Sequence, residues 1–172
     1  MSPVHRTNCR CALVRLERYR EAAKRLPEVR ELALAEAREL DLLRVLWLGA
    51  KVRAGLGEKT EAMADLEQVS RGFTLHLPPL PYDAALSSLD LAVLWLEEGR
   101  TAAVRAMALG MAWIFKAQGI DREALAALAL FCEAARDEAA TVELARQVAA
   151  EIEKVRRSAP RAAAGREAEA GS

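Results

Sequence analysis

Histidine is almost missing from this chain, which has two, His5 and His76, and cysteine is limited to Cys9, Cys11 and Cys132. A hydrolytic triad or a histidine-based metal centre therefore has almost nothing to work with. His5 and Cys9, four residues apart, share a helical face, but Cys11 points elsewhere and no Cys-x-x-Cys pair supplies further ligands. No metal and no cofactor are expected. An odd number of cysteines without a recognisable signal peptide argues for a reducing, cytoplasmic setting rather than a disulfide framework. Aromatics make up only 5% of a chain that is 52% hydrophobic, with alanine dominant, a balance that suits close helix packing better than a sheet. None of the nine glycines opens a phosphate-cradling loop after a strand. Glu97 and Glu98 are adjacent, so on a helix they point about 100° apart and cannot pair as acid and base. No enzymatic activity is expected.

Long apolar runs are also missing. The longest charge-free stretches are Gly72 to Tyr82, with three prolines, and Ala106 to Phe115, whereas a spanning helix needs about 20 apolar residues. The chain reads as soluble, without a membrane segment. Basic and acidic residues balance at 25 each, so there is no overall preference for nucleic acid. The distribution is uneven, since residues 1–30 hold eight bases and three acids while 31–70 hold five and eight. A basic first unit with Arg6, Arg10, Arg15, Arg18 and Arg20 offers a subsidiary route to nucleic acid, although charged outer helix faces are usually solvated.

What the chain does have is a period. A shift of 42 lays Gly57-Glu58-Lys59-Thr60-Glu61-Ala62 over Gly99-Arg100-Thr101-Ala102-Ala103-Val104 and Phe73 over Phe115. A shift of 40 brings Tyr19, Ala22, Leu26 and Val29 near Lys59, Ala62, Leu66 and Val69, and carries Val104 onto Leu144. Four related units fit, each two helices and a short turn, which is the mark of an all-α solenoid of stacked hairpins. Apolar spacing predicts a helix from Asp41 to Gly55, ended by Gly55-Leu56-Gly57, then one from Thr60 to about His76. Leu77-Pro78-Pro79-Leu80-Pro81 breaks the helical pattern and satisfies a minimal PxxP motif, but a flanking arginine is missing and its evident role is an inter-hairpin loop. Further helices are predicted over Tyr82 to Glu98, Thr101 to Gln118 with Thr101 as cap, Asp121 to about Ala135, and from Asp137 or Thr141 to about Arg157. At the front, 4–16 and 18–39 would form the first hairpin, with Pro27 kinking or splitting the second helix. Residues 158–172, rich in alanine, glycine and charge, are expected to be a disordered tail behind a domain spanning 1–157.

The unit beginning at Leu86, with Leu91-Ala92, Trp95, Gly99, Val104 and Ala108, resembles a tetratricopeptide repeat, and Gly57, Ala62, Leu66 and Val69 resemble its second half. The chain departs from the family in its period of 40–42 rather than about 34, in Arg53 where an aromatic belongs, in Arg10 where a small residue belongs, and in Asp137 to Ala139 where a glycine turn belongs. Longer helices of this kind are similar to tetratricopeptide-like regions of bacterial regulators. The resemblance implies a right-handed superhelix of about four antiparallel hairpins whose first helices line a concave groove for a protein or peptide segment. Carried over, the groove positions are Arg44, Trp47 and Lys51, then Leu86, Leu89, Val93 and Glu97, then Glu133 and Arg136.

The expected function is thus a non-enzymatic scaffold that binds a protein or peptide in its groove, with Trp47 as an anchor and Trp95 and Trp113 in the core. The alternative is a detached sensor region of a larger regulator, binding a small molecule or a neighbouring domain, since the first hairpin starts abruptly at Met1 without a polar cap. An uncapped stack end would also leave an apolar face that a second copy could cover, giving a homo-oligomer.

Overall fold

A computed structural model describes residues 3–35 and 39–158, with side chains from Glu17 onward, and every regular element among them is helical. The expected all-α class is what the structure has. In chain order the helices are α1 (Pro3–Ala35), α2 (Glu39–Leu56), α3 (Lys59–Leu75), α4 (Pro81–Glu97), α5 (Thr101–Gly110), α6 (Arg122–Arg136) and α7 (Val142–Ser158), with a 3-10 segment, Met111–Lys116, after α5. Consecutive helices pack on one another along the whole series. The tail beyond Ser158, the side chains of His5, Cys9 and Cys11, and those of Arg6, Arg10 and Arg15 lie outside the described residues.

The front of the chain differs from expectation. Residues 4–16 and 18–35 are one helix, not a hairpin, and Pro27 sits inside it without dividing it. Pro27 is exposed, and the part of the helix before it is held against α2: a Cβ on Gly55 would strike the Tyr19 ring, and one on Gly49 would touch Leu26 at 4.0 Å. These contacts place α1 antiparallel to α2. Toward the end of α1, Leu32 is 67% exposed while Ala33 is buried.

The turns after α2 and α4 follow the sequence period. Gly57 and Gly99 both adopt positive φ, +87° and +71°, the left-handed conformation that closes a helix and that glycine reaches without a Cβ clash. The equivalent position after α6 is Glu138, at φ +54°. The period fails further on, for Phe73 is fully buried whereas its counterpart Phe115 is 38% exposed. The cause is the end of α5, where the backbone tightens into 3-10 turns. Residues three apart eclipse one another in that geometry, and Met111 and Ile114 are thereby both turned into the core. Thr101 does not cap α5, since its hydroxyl donates to Glu138 (3.2 Å), whereas Thr141 does cap α7 by accepting the Leu144 N–H at 3.1 Å.

α4 is the centre of the fold. Seven consecutive residues, Asp83 to Leu89, are buried, followed by Leu91, Ala92 and Leu94, as a helix surrounded on all sides requires. Its neighbours are α3, α5, α7 and, more lightly, α2. In an open superhelix of hairpins α4 would lie along α6; here α7 returns along α4 and closes α4 to α7 into a ring. The ion pairs show α4 and α7 antiparallel, with Arg156 at 2.9 Å from Asp83 at one end and Arg146 at 3.0 Å from Glu97 at the other. Among the described residues no helix is long and apolar enough to cross a membrane.

Candidate functional site

Along one face of α4, Asp83, Asp90 and Glu97 recur at seven-residue spacing, two helical turns, and so stand in a row. Each carboxylate meets bases or donors from flanking helices. Asp83, with its side chain 8% exposed, accepts from Arg156 of α7 at 2.9 Å and lies 3.8 Å from Arg44 of α2. Asp90 accepts from the Trp47 indole at 2.8 Å and from Lys51 at 3.2 Å, both on α2. Glu97 takes Lys59 of α3 at 2.7 Å and Arg146 of α7 at 3.0 Å. The row therefore ties α2, α3 and α7 to the central helix. A buried carboxylate such as Asp83 persists only when paired, and both of its partners come from distant parts of the chain.

Above this row lies a cleft of ≈ 430 Å³, floored by Leu86 and Asp90 of α4 and walled by α2 on one side and α7 on the other. The α2 wall carries Arg44, Trp47, Leu48 and Lys51, and the α7 wall carries Ala149, Ala150, Glu153, Arg156 and Arg157. Trp47 is half-buried, with its ring edge-on to Phe73 at 5.6 Å and the Lys51 ammonium 5.4 Å from its centroid. It is thus fixed on three sides rather than a free anchor.

Of the nine positions expected in the groove, Arg44, Trp47, Lys51 and Leu86 line this cleft. Glu97 stands in the same acidic row, at its far end. Val93 is partly buried against the core. Leu89 is fully buried in the core and presents no surface to a partner, which corrects its placement in the groove. Glu133 and Arg136 lie 3.9 Å apart on the exposed side of α6. That helix packs on α5 and α7 rather than on α4, so these two are separate from the cleft.

The α7 residues were missed by sequence reasoning because helix order suggested that α6 would supply the third wall. One signal was available: Asp83, inside the otherwise uncharged run Tyr82 to Leu89, needs a cation if that run is buried. Which of the chain's bases supplies it depends on tertiary packing. On the same helix Tyr82 donates to the Asp121 carboxylate and accepts the Asp121 N–H at 3.0 Å, joining the starts of α4 and α6. Burial, with help from that hydrogen bond, holds the Tyr82 phenol above its ordinary pKa. Cys132 on α6 is buried, and desolvation raises its thiol to about 11, which makes it an inert apolar residue.

No family model matches this chain, and neither a curated protein nor a solved structure does.

Proposed function

We propose that this chain is a non-enzymatic, tetratricopeptide-like helical scaffold whose α2–α4–α7 cleft binds a segment of another protein. The repeat resemblance is supported by the matching positive-φ glycines, Gly57 and Gly99, 42 residues apart. The observation that carries the binding reading is the make-up of the cleft walls, where the apolar Trp47 and Leu48 stand among Arg44, Lys51, Arg156 and Arg157, each of them paired with a carboxylate, Asp83, Asp90 or Glu153. Apolar surface ringed by charges of both signs favours an amphipathic segment, with affinity from apolar burial and selectivity from the walls. Leu48, 48% exposed on the α2 wall, also faces Val29 and Leu32 of α1 across a neighbouring hollow.

Because Trp47 is packed on Phe73, exposed charges test the cleft with less risk to the fold. Crosslinking pull-downs with wild type, Lys51→Glu and Arg157→Glu should retain a partner in the first case and lose it in the other two, with circular dichroism unchanged. Equal retention by all three would remove the cleft from the interface, and recovery of the chain alone would redirect the reading to self-association. The alternative of a small-molecule sensor region is favoured by a second cavity on the other side of α4.

A further inference from the structure

Between α3 and α5 lies a cavity of ≈ 540 Å³ whose floor is again α4, through Ala84, Ser88, Leu91 and Trp95. At about 100° per residue these positions face away from Leu86 and Asp90, so the two cavities occupy opposite faces of the helix. Its origin is the short α5, ten residues against seventeen in α3 and α4, which gives way to the 3-10 segment at Gly110. Its size falls in the range of about 300–1,000 Å³ usual for small-molecule sites.

The lining is apolar and polarisable, from Trp95, Trp113, Met107, Met111 and Ile114. Its polar groups are Glu67, Ser70, Arg71, Thr74 and Ser88, and Thr74 donates to the Ser70 carbonyl at 2.9 Å. Ser88 is buried and bonds Ser70 at 2.7 Å. The Trp95 indole nitrogen is the one buried side-chain polar atom among the described residues without a hydrogen-bond partner. Arg71, exposed at the rim, has no ion-pair or hydrogen-bond partner among the described residues. Glu67, one turn earlier on α3, lines the same cavity and disfavours a second negative charge.

We infer that this cavity binds a small monocarboxylic acid with an apolar body, its carboxylate on the Arg71 guanidinium and its body against Trp95, Trp113 and the two methionines. This site is independent of the α2–α4–α7 cleft. A guanidinium–carboxylate contact at an open rim is a charge-assisted bond that adds roughly tenfold in affinity over a neutral analogue.

The test is a titration of the ¹⁵N-labelled full chain with 4-phenylbutyrate, following the indole N–H resonances. Saturable movement of the Trp95 and Trp113 signals with Trp47 stationary is expected, together with about tenfold weaker binding of 4-phenylbutanol and about tenfold weaker binding of the acid by Arg71→Met. Gly110 has φ −64° and a Cβ built there meets nothing within 4 Å, so Gly110→Leu should fold normally and occlude the cavity. Absence of saturation at millimolar acid, equal affinity for acid and alcohol, or unimpaired binding by Gly110→Leu would overturn the assignment. None of these substitutions touches α2 or α7, so partner retention in the cleft is read separately.

Discussion

Replacing Arg156 by methionine should destabilise the fold by about 2 kcal/mol, less than the roughly 3–5 kcal/mol for breaking a fully buried ion pair. The pair is asymmetric. Asp83 is enclosed at 8% side-chain exposure, but Arg156 keeps 36%, and Arg44 remains 3.8 Å from the carboxylate after the substitution. Partial solvent screening and the remaining cation lower the penalty, yet it stays above the roughly 0–1 kcal/mol of a surface pair. Methionine preserves the aliphatic stem, so lost packing contributes little. Urea denaturation at pH 7, followed by circular dichroism, measures the difference, and a thermal midpoint lower by about 4–8 °C should accompany it. The double variant Asp83→Asn, Arg156→Met should be more stable than Arg156→Met alone, because a neutral amide does not require a counterion. A loss below about 0.5 kcal/mol for Arg156→Met, the level of an ordinary surface change, would refute the claim that this pair holds α7 against α4. Strict additivity of the two substitutions would refute it equally.

Leu89→Ala should cost about 3 kcal/mol as a cavity in the core; partner retention at a temperature where the variant remains folded should be unchanged, since Leu89 has no exposed surface. Cys132 should resist iodoacetamide at pH 8 in the native chain and react on unfolding, as read by mass spectrometry. Its thiol is raised from 9.0 to about 11, so the associated stability is complete below pH 9 and is lost as pH climbs from about 9 to about 11, where the unfolded thiol ionises and the folded one does not. The raised Tyr82 phenol acts in the same direction at higher pH. Gly99→Ala should lose about 1 kcal/mol because its φ of +71° is left-handed, whereas Gly110→Ala should gain about 0.5–1 kcal/mol by removing backbone freedom from a helical position. Parallel urea titrations distinguish the two signs.

Local patterns placed most helices to within one or two residues. α3, α4, α6 and α7 begin and end where apolar spacing, Pro81, Gly99 and Thr141 indicate, because caps, breakers and helical periodicity act over a few neighbouring residues. Two local predictions failed through tertiary override. Pro27 divides nothing because α1 packs along α2, with Tyr19 and Leu26 against Gly55 and Gly49, and α5 stops early because 3-10 turns bury Met111 and Ile114 together.

By itself the sequence determined that this is an all-helical chain with repeated glycine turns and a proline-rich break after α3. Periodicity and propensity are properties of contiguous residues and can be read one segment at a time. Only the tertiary structure decided that α7, rather than α6, returns along α4, that Arg156 rather than another base neutralises Asp83, and that the short α5 opens a cavity over Trp95. Those outcomes depend on which helix faces meet across 40 to 70 residues of chain. Many apolar stripes are interchangeable at that level, and the choice is made by packing all of them at once.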